Sequence, residues 1–156
     1  MDTKLIREAA DGLHLVDIYL LDFNFEAHKD YHPSIVFEGD SFKTQDKKEI
    51  KCKKAIIVDE NGEKTLFLIE ALLGIRALDD KEGNDEILDA VFTIEAKFRA
   101  EYLIKAADLS EEALKEFSRH NGLHAIWPFW RQFVYDMMPR LRLPIPEVPL
   151  RSPLYK

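Results

Sequence analysis

Cysteine is nearly absent: Cys52 is the single one in 156 residues. A lone thiol excludes an intrachain disulfide and a cysteine-based zinc cage, and it suits a reducing compartment. Glycine is also scarce, at six residues, with no Gly-rich phosphate loop and no Gly-x-Ser-x-Gly nucleophile elbow. No stretch approaches the roughly 18 to 20 consecutive apolar residues of a membrane helix. The opening Met1, Asp2, Thr3 and Lys4 lack the apolar core of a signal peptide. A cytoplasmic protein with no membrane insertion is therefore expected. Basic charge is short as well, with 22 Lys and Arg against 29 Asp and Glu and a net charge of −7. That balance argues against a sequence-tolerant nucleic-acid binder, whose affinity comes from cations displacing counterions around phosphates. A chain of this length is expected to build one core, in a single domain over residues 1–156.

What is present is periodicity. Residues 4–11 suit a short helix ended by Asp11 and Gly12 before anything sizeable is buried. From Leu13 the period is two, with Leu13, Leu15, Tyr19, Leu21, Phe23 and Phe25 on one face and His14, Asp22, Asn24 and Glu26 on the other. Residues 27–49 read as a long connection from which Ile35, Val36, Phe37 and Phe42 tack onto the core. A second strand is expected over 50–58. Asp59, Glu60, Asn61 and Gly62 then supply a tight hairpin before a third strand over about 64–78. The cleanest alternation follows: Ala90, Phe92, Ile94, Ala96, Phe98, Ala100, Tyr102 and Ile104 interleave with mostly polar residues, giving a fourth strand with one dry face. The remainder reads as helical. Asp108 or Ser110 caps a helix that Asn121 and Gly122 can stop, and a second helix runs to about Met138 before Pro139 ends it. Five of the seven prolines fall in the last 18 residues, so an extended tail is expected. Four strands, an antiparallel sheet and trailing helices place the chain in the α+β class.

Catalytic and metal constellations are weak. His28, Asp30 and His32 alternate along an extended segment, which puts three potential ligands on one side, although an exposed polar loop is the plainer reading. An alternative function, a small α+β ligand-binding or metal-dependent enzyme domain, would rest on those three residues. His120 and His124 are four apart, but Asn121 and Gly122 are expected to break the helix that would align them. Cys52 lies among Lys51, Lys53 and Lys54 and is expected on a solvated basic strand face. The favoured reading therefore has no catalytic residue, no metal and no cofactor.

The informative segment is apolar. Trp127, Phe129, Trp130, Phe133 and Tyr135 put five of 17 aromatics into nine residues. They point around more than one helix face, so one sheet cannot cover them all. Exposed together they would exceed the few hundred Å² of apolar patch that a soluble monomer normally shows. A subunit interface or a groove for an apolar peptide accounts for the surplus.

These residues resemble a known family. The strand Asp17-Ile18-Tyr19-Leu20-Leu21-Asp22-Phe23-Asn24-Phe25-Glu26-Ala27 is similar to the opening strand of SecB-like export chaperones. The strand at 90–104, the Asn121-Gly122-Leu123 step, Pro128-Phe129 inside an aromatic helix and the proline-punctuated exit from Pro144 to Pro149 follow in the family's order. The resemblance covers about residues 13–150, with gaps. It implies a four-stranded antiparallel sheet with C-terminal helices packed on one face, assembled as a homotetramer, a dimer of dimers. It implies an ATP-independent holdase, not an enzyme, that binds unfolded or extended clients along apolar grooves. The groove candidates here are Phe37, Phe42, Trp127, Phe129, Trp130 and Phe133. In the export branch an acidic sheet face docks the translocase motor SecA, and the matching positions are Asp22, Glu26 and Glu95. Two departures stand out: residues 30–54 are longer and more basic than the family pattern, and the sequence stops at Lys156, before the further helix and tail of typical members. A SecB-like branch serving an antitoxin client, in place of an exported preprotein, would keep the groove without the SecA contacts.

Overall fold

The computed structural model describes residues 1–27, 31–33, 42–79, 90–143, 146 and 148–150. Its elements are helix α1 (Thr3–Gly12), strands β1 (Leu13–Ala27), β2 (Phe42–Asp59), β3 (Gly62–Asp79) and β4 (Ala90–Ile104), and helices α2 (Glu111–Phe117) and α3 (Leu123–Arg140), the last two joined by a π-helical turn at Ser118–Gly122. The four strands form one antiparallel sheet in the order β1-β4-β3-β2, with the helices on one face, as an α+β reading requires. β1 and β2, consecutive in sequence, therefore occupy opposite edges.

The central pair carries the core. On β4, Phe92, Ile94, Ala96, Phe98, Ala100 and Tyr102 are all buried toward the helices, and on β3 their partners Ala77, Ile75, Leu73, Ala71, Ile69 and Phe67 are buried beside them. Ile126, Val134 and Met138 of α3 close that core from above. The β2–β3 hairpin turns where expected: Gly62 has φ +108°, which a side chain would resist, and Asp59 accepts the Asn61 N–H at 2.8 Å. Both strands are longer than their periodicity indicates. Residues 42–49, read above as connection, extend β2 in unbroken register from Phe42 opposite Asp79 to Asp59 opposite Gly62. Gln45, Asp46, Lys47 and Glu49 are exposed on this edge strand, where strand pairing needs little apolar patterning.

Two further expectations are corrected. Period two on β1 holds only in pieces, because Val16 and Leu21 are each an extra residue in the ladder to β4. Each bulge flips the pleat. Ile18 and Leu20, opposite Ala100 and Phe98, face the helices in place of Tyr19 and Leu21, and Phe23 and Phe25 then return to phase. Tyr19 turns to the other face, donates its hydroxyl to Glu101 at 2.6 Å and receives Arg99 at 3.3 Å. The second correction is that Asn121 and Gly122 do not stop the helix. Gly122 is itself helical, at φ −61° and ψ −48°, and the chain continues from α2 through the π turn into α3. A Cβ at position 122 would lie 2.6 Å from Ile69 Cδ1, so the glycine lets the helix settle onto β3 rather than end. His120 and His124 consequently lie on one continuous helical rod.

α1 is a full helix of ten residues, capped by the Asp2 carboxylate on the N–H groups of Lys4 and Leu5. It packs beside α2, where Ser110 caps with its hydroxyl on Ala113 N–H and Glu116 receives the backbone N–H of Asp2 at 2.9 Å. α3 ends in a Schellman turn: Leu143 N–H reaches Met138 O at 3.0 Å and Arg142 N–H reaches Pro139 O at 3.1 Å. Arg142 takes the left-handed position with φ 56°, and Leu143 buries next to Met138. Beyond it, Val148 and Pro149 lie back along the helix, at Arg131 and Trp127.

Candidate functional site

β1 is an edge strand, so among the described residues no further strand shields its outer flank. Leu15, Val16, Leu20, Leu21 and Phe23 are all exposed, an apolar load that an isolated edge does not need. The helix-facing members line one side of a trough whose opposite wall is the helical rod. At one end Leu15 lies opposite Tyr102, whose ring meets Phe117 edge-on at 5.3 Å. In the middle Leu20 lies opposite Phe98, which meets Phe133 edge-on at 6.1 Å, and Phe23 reaches Phe133 directly at 5.7 Å. At the far end Phe25 packs on Phe92 and Tyr31, and the Tyr31 hydroxyl donates to Leu141 O at 3.4 Å. Strand and rod thus run side by side in the same direction. From Phe117 to Leu141 a helix covers about 36 Å, and from Leu15 to Phe25 a strand covers about 33 Å, so the trough stays in register along its length. An extended peptide of about ten residues spans the same distance.

The aromatic cluster divides about the rod. Phe129 is 44% exposed and one turn before half-buried Phe133, so both belong to the trough side. Trp130 is buried beneath them, with its ring stacked on Phe133 at 5.9 Å. Trp127 faces the other flank and is 4% exposed. Its indole N–H donates to Pro149 O at 2.7 Å, and Lys48 of β2 sits 5.4 Å from its ring centroid. Burial against this flank holds the Lys48 ammonium pKa below the usual lysine value. Sequence spacing collects these aromatics in one segment without showing that the return of the chain covers one flank and leaves the other open.

Phe42 opens β2 opposite Asp79, and its side chain lies outside the described residues, as does all of Phe37. His28 and Asp30 also lie outside them, while His32 is exposed; among the described residues no three His, Cys, Asp or Glu side chains converge as metal ligands. Cys52 is half-buried on the helix-facing side opposite Ile69, with Lys51 and Lys53 on the other side, so the solvated basic face expected for it is corrected.

Asp22, Glu26 and Glu95 do share the outer sheet face. Glu95 lies opposite Asn24, and Asp22 and Glu26 flank that pair two residues either way. Cations interleave with them: Lys47 binds Glu95 at 3.2 Å, and Lys97 lies opposite Asp22. Next to this group, Arg99 forks onto Glu70 at 2.5 and 3.1 Å, and Lys53 adds a contact at 3.8 Å. The Arg99 hydrogen bond, against a smaller desolvation, holds the Glu70 carboxyl below the usual glutamate value.

Among the described residues, no helix is long and apolar enough to cross a membrane. No protein-family model matches the sequence, and no curated relative does. A solved structure does match: a SecB-like chaperone of Mycobacterium tuberculosis in complex with a ChAD peptide from the HigA1 antitoxin. It is similar over 96% of this chain and 98% of its own, with a TM-score of 0.68 and 20% sequence identity. The chain has the SecB-like fold. In this chain the sheet order leaves β1 at an edge, and its Phe23 meets Phe133 of the rod, which makes the trough.

Proposed function

We propose that the protein is a chaperone that holds unfolded or extended polypeptide in the trough between β1 and the α2–α3 rod. The carrying observation is the run of exposed Leu15, Leu20, Phe23 and Phe129 beside half-buried Phe133, an apolar channel with the length of an extended segment. Trp130 is its floor. Binding of this kind draws on burial of apolar surface and tolerates many sequences, so it needs neither nucleotide nor metal, and the reading is of an ATP-independent holdase and not an enzyme. The antitoxin peptide bound by the Mycobacterium tuberculosis neighbour supports an antitoxin-like client as the first choice.

In this reading the whole chain acts as one cytoplasmic domain and assembles as a homo-oligomer, with a dimer of dimers as the proposed form. Apolar residues outside the trough support it: the bulged Val16 and Leu21, and Ile56, Ile57 and Val58 near the β2 hairpin, are all exposed. The grouping of Asp22, Glu26 and Glu95 supports a second reading, an acidic dock for a basic partner such as SecA in preprotein export. The test is suppression of aggregation of a denatured client by stoichiometric protein without nucleotide, with sedimentation at micromolar concentration alongside. Suppression by an oligomer supports the proposal; a monomer that leaves aggregation unchanged contradicts it.

A further inference from the structure

The covered flank of α3 is built like an occupied peptide site. After the Schellman turn the chain returns along the helix, placing Val148 at Arg131 and Pro149 at Trp127, so the segment runs antiparallel to α3. Two consecutive carbonyls receive side-chain donors one helical turn apart: Arg131 Nε–H to Val148 O at 3.1 Å and Trp127 Nε1–H to Pro149 O at 2.7 Å. Both donors are held in place independently of the segment. The Arg131 guanidinium stacks on the Tyr135 ring at 4.7 Å, and Lys48 stands over the Trp127 ring. One side chain of the segment is an anchor, since Val148 is 4% exposed, whereas neighbouring Leu150 is 77% exposed. Backbone carbonyls are common to every polypeptide, and the anchor site asks only for a small branched apolar group. Nothing in this set of contacts is particular to residues 148 and 149.

We infer that the cleft formed by Trp127, Arg131 and Lys48 is a second peptide site, held shut by Val148 and Pro149, and that an extended client segment bearing a β-branched apolar residue displaces them. The inference rests on the client-binding reading above. It makes the tail an internal competitor: the apparent affinity of the cleft is the intrinsic affinity reduced by the fraction of time the tail is away.

The probe is the labelled hexapeptide Pro-Glu-Val-Pro-Leu-Arg, the sequence of residues 146–151, with a Val-to-Asp version as control. It is titrated against the full-length parent and full-length Val148→Asp, with the indole N–H resonance of Trp127 followed by NMR. The expected result is at least about tenfold tighter binding to Val148→Asp, as for a tail that covers the cleft nine-tenths of the time or more. The indole resonance should shift in the variant and return when the peptide is added, and the control peptide should do neither. Adding Trp127→Phe, which keeps an aromatic ring and removes the donor, should abolish the gain. Val148→Ser replaces Val148→Asp if the aspartate lowers the urea melt. Equal affinity for parent and variant, or an indole resonance unmoved by either substitution at Val148, overturns the inference. The client reading is scored separately by aggregation suppression in the parent and Phe129→Ser. Suppression that depends on Phe129, without any gain in peptide affinity, sinks the cleft alone. Peptide gain in a protein that never suppresses aggregation supports the cleft and contradicts the chaperone reading.

Discussion

The two flanks of α3 carry similar chemistry and meet different fates. On one, Trp127 and Arg131 each donate to a carbonyl of the returning segment, Pro149 O and Val148 O. On the other, Phe133 meets Phe23 of β1, and Phe129, one turn earlier, is exposed, so apolar surface lies partly in water. The difference lies less in side-chain type than in what the chain supplies as cover. Among the described residues one flank of this aromatic helix is closed from within and the other is not, and the proposed client site is the uncovered one.

Removing the floor of the trough should have the largest effect. Trp130 is 2% exposed, and Trp130→Ala is expected to cost about 3–5 kcal/mol in a urea melt, abolishing the distinction by unfolding much of the population. Lifting the rod is next. In Gly122→Ala the new methyl must push fully buried Ile69, and a loss of about 1–3 kcal/mol is expected, with both flanks affected through the altered seat of the helix. Arg142→Gly should sharpen the contrast in the opposite direction. The left-handed φ of 56° strains an arginine, so glycine is expected to raise stability by about 1 kcal/mol and hold the covered flank closed more firmly.

The smallest effect serves as a control on the outer face. Because Arg99 lowers the folded-state pKa of Glu70, the stabilisation from that pair is fully present above the ordinary glutamate pKa and fades as pH falls through the folded value. Glu70→Gln should therefore lessen the acid sensitivity of unfolding, cost less than about 1 kcal/mol at neutral pH, and leave client binding unchanged. Melts of parent and variant from neutral pH down to acid provide the check.

Much of this was legible from residue patterns, for reasons that also mark the limits. β4 reads cleanly because every second residue from Phe92 to Tyr102 is buried and the ladder beside β3 is continuous over that stretch. β1 reads in part, since a bulged residue such as Val16 or Leu21 looks like any other strand residue until it is paired with β4. Asn121-Gly122 carries the usual mark of a helix end, but here the glycine answers to the proximity of Ile69, a contact 53 positions away in sequence and set only by packing. The aromatic segment announced a surplus of apolar surface. Its division between two flanks depended on a Schellman turn with arginine where glycine is usual, which leaves no sign in composition. Convergence of Glu95 with Asp22 and Glu26 followed from strand pairing, while Lys47 arrived from a stretch that the pattern assigned to a loop.

The most direct measurement compares folding and client binding in one doubly substituted full-length protein, Phe23→Ser with Phe129→Ser. Both residues are about half exposed, at 51% and 44%, so each change should cost about 1 kcal/mol of stability and leave the protein folded at room temperature. The expected result is a folded protein of parental size that no longer suppresses aggregation of a denatured client. A folded variant that protects the client as well as the parent does would contradict the trough as the binding site.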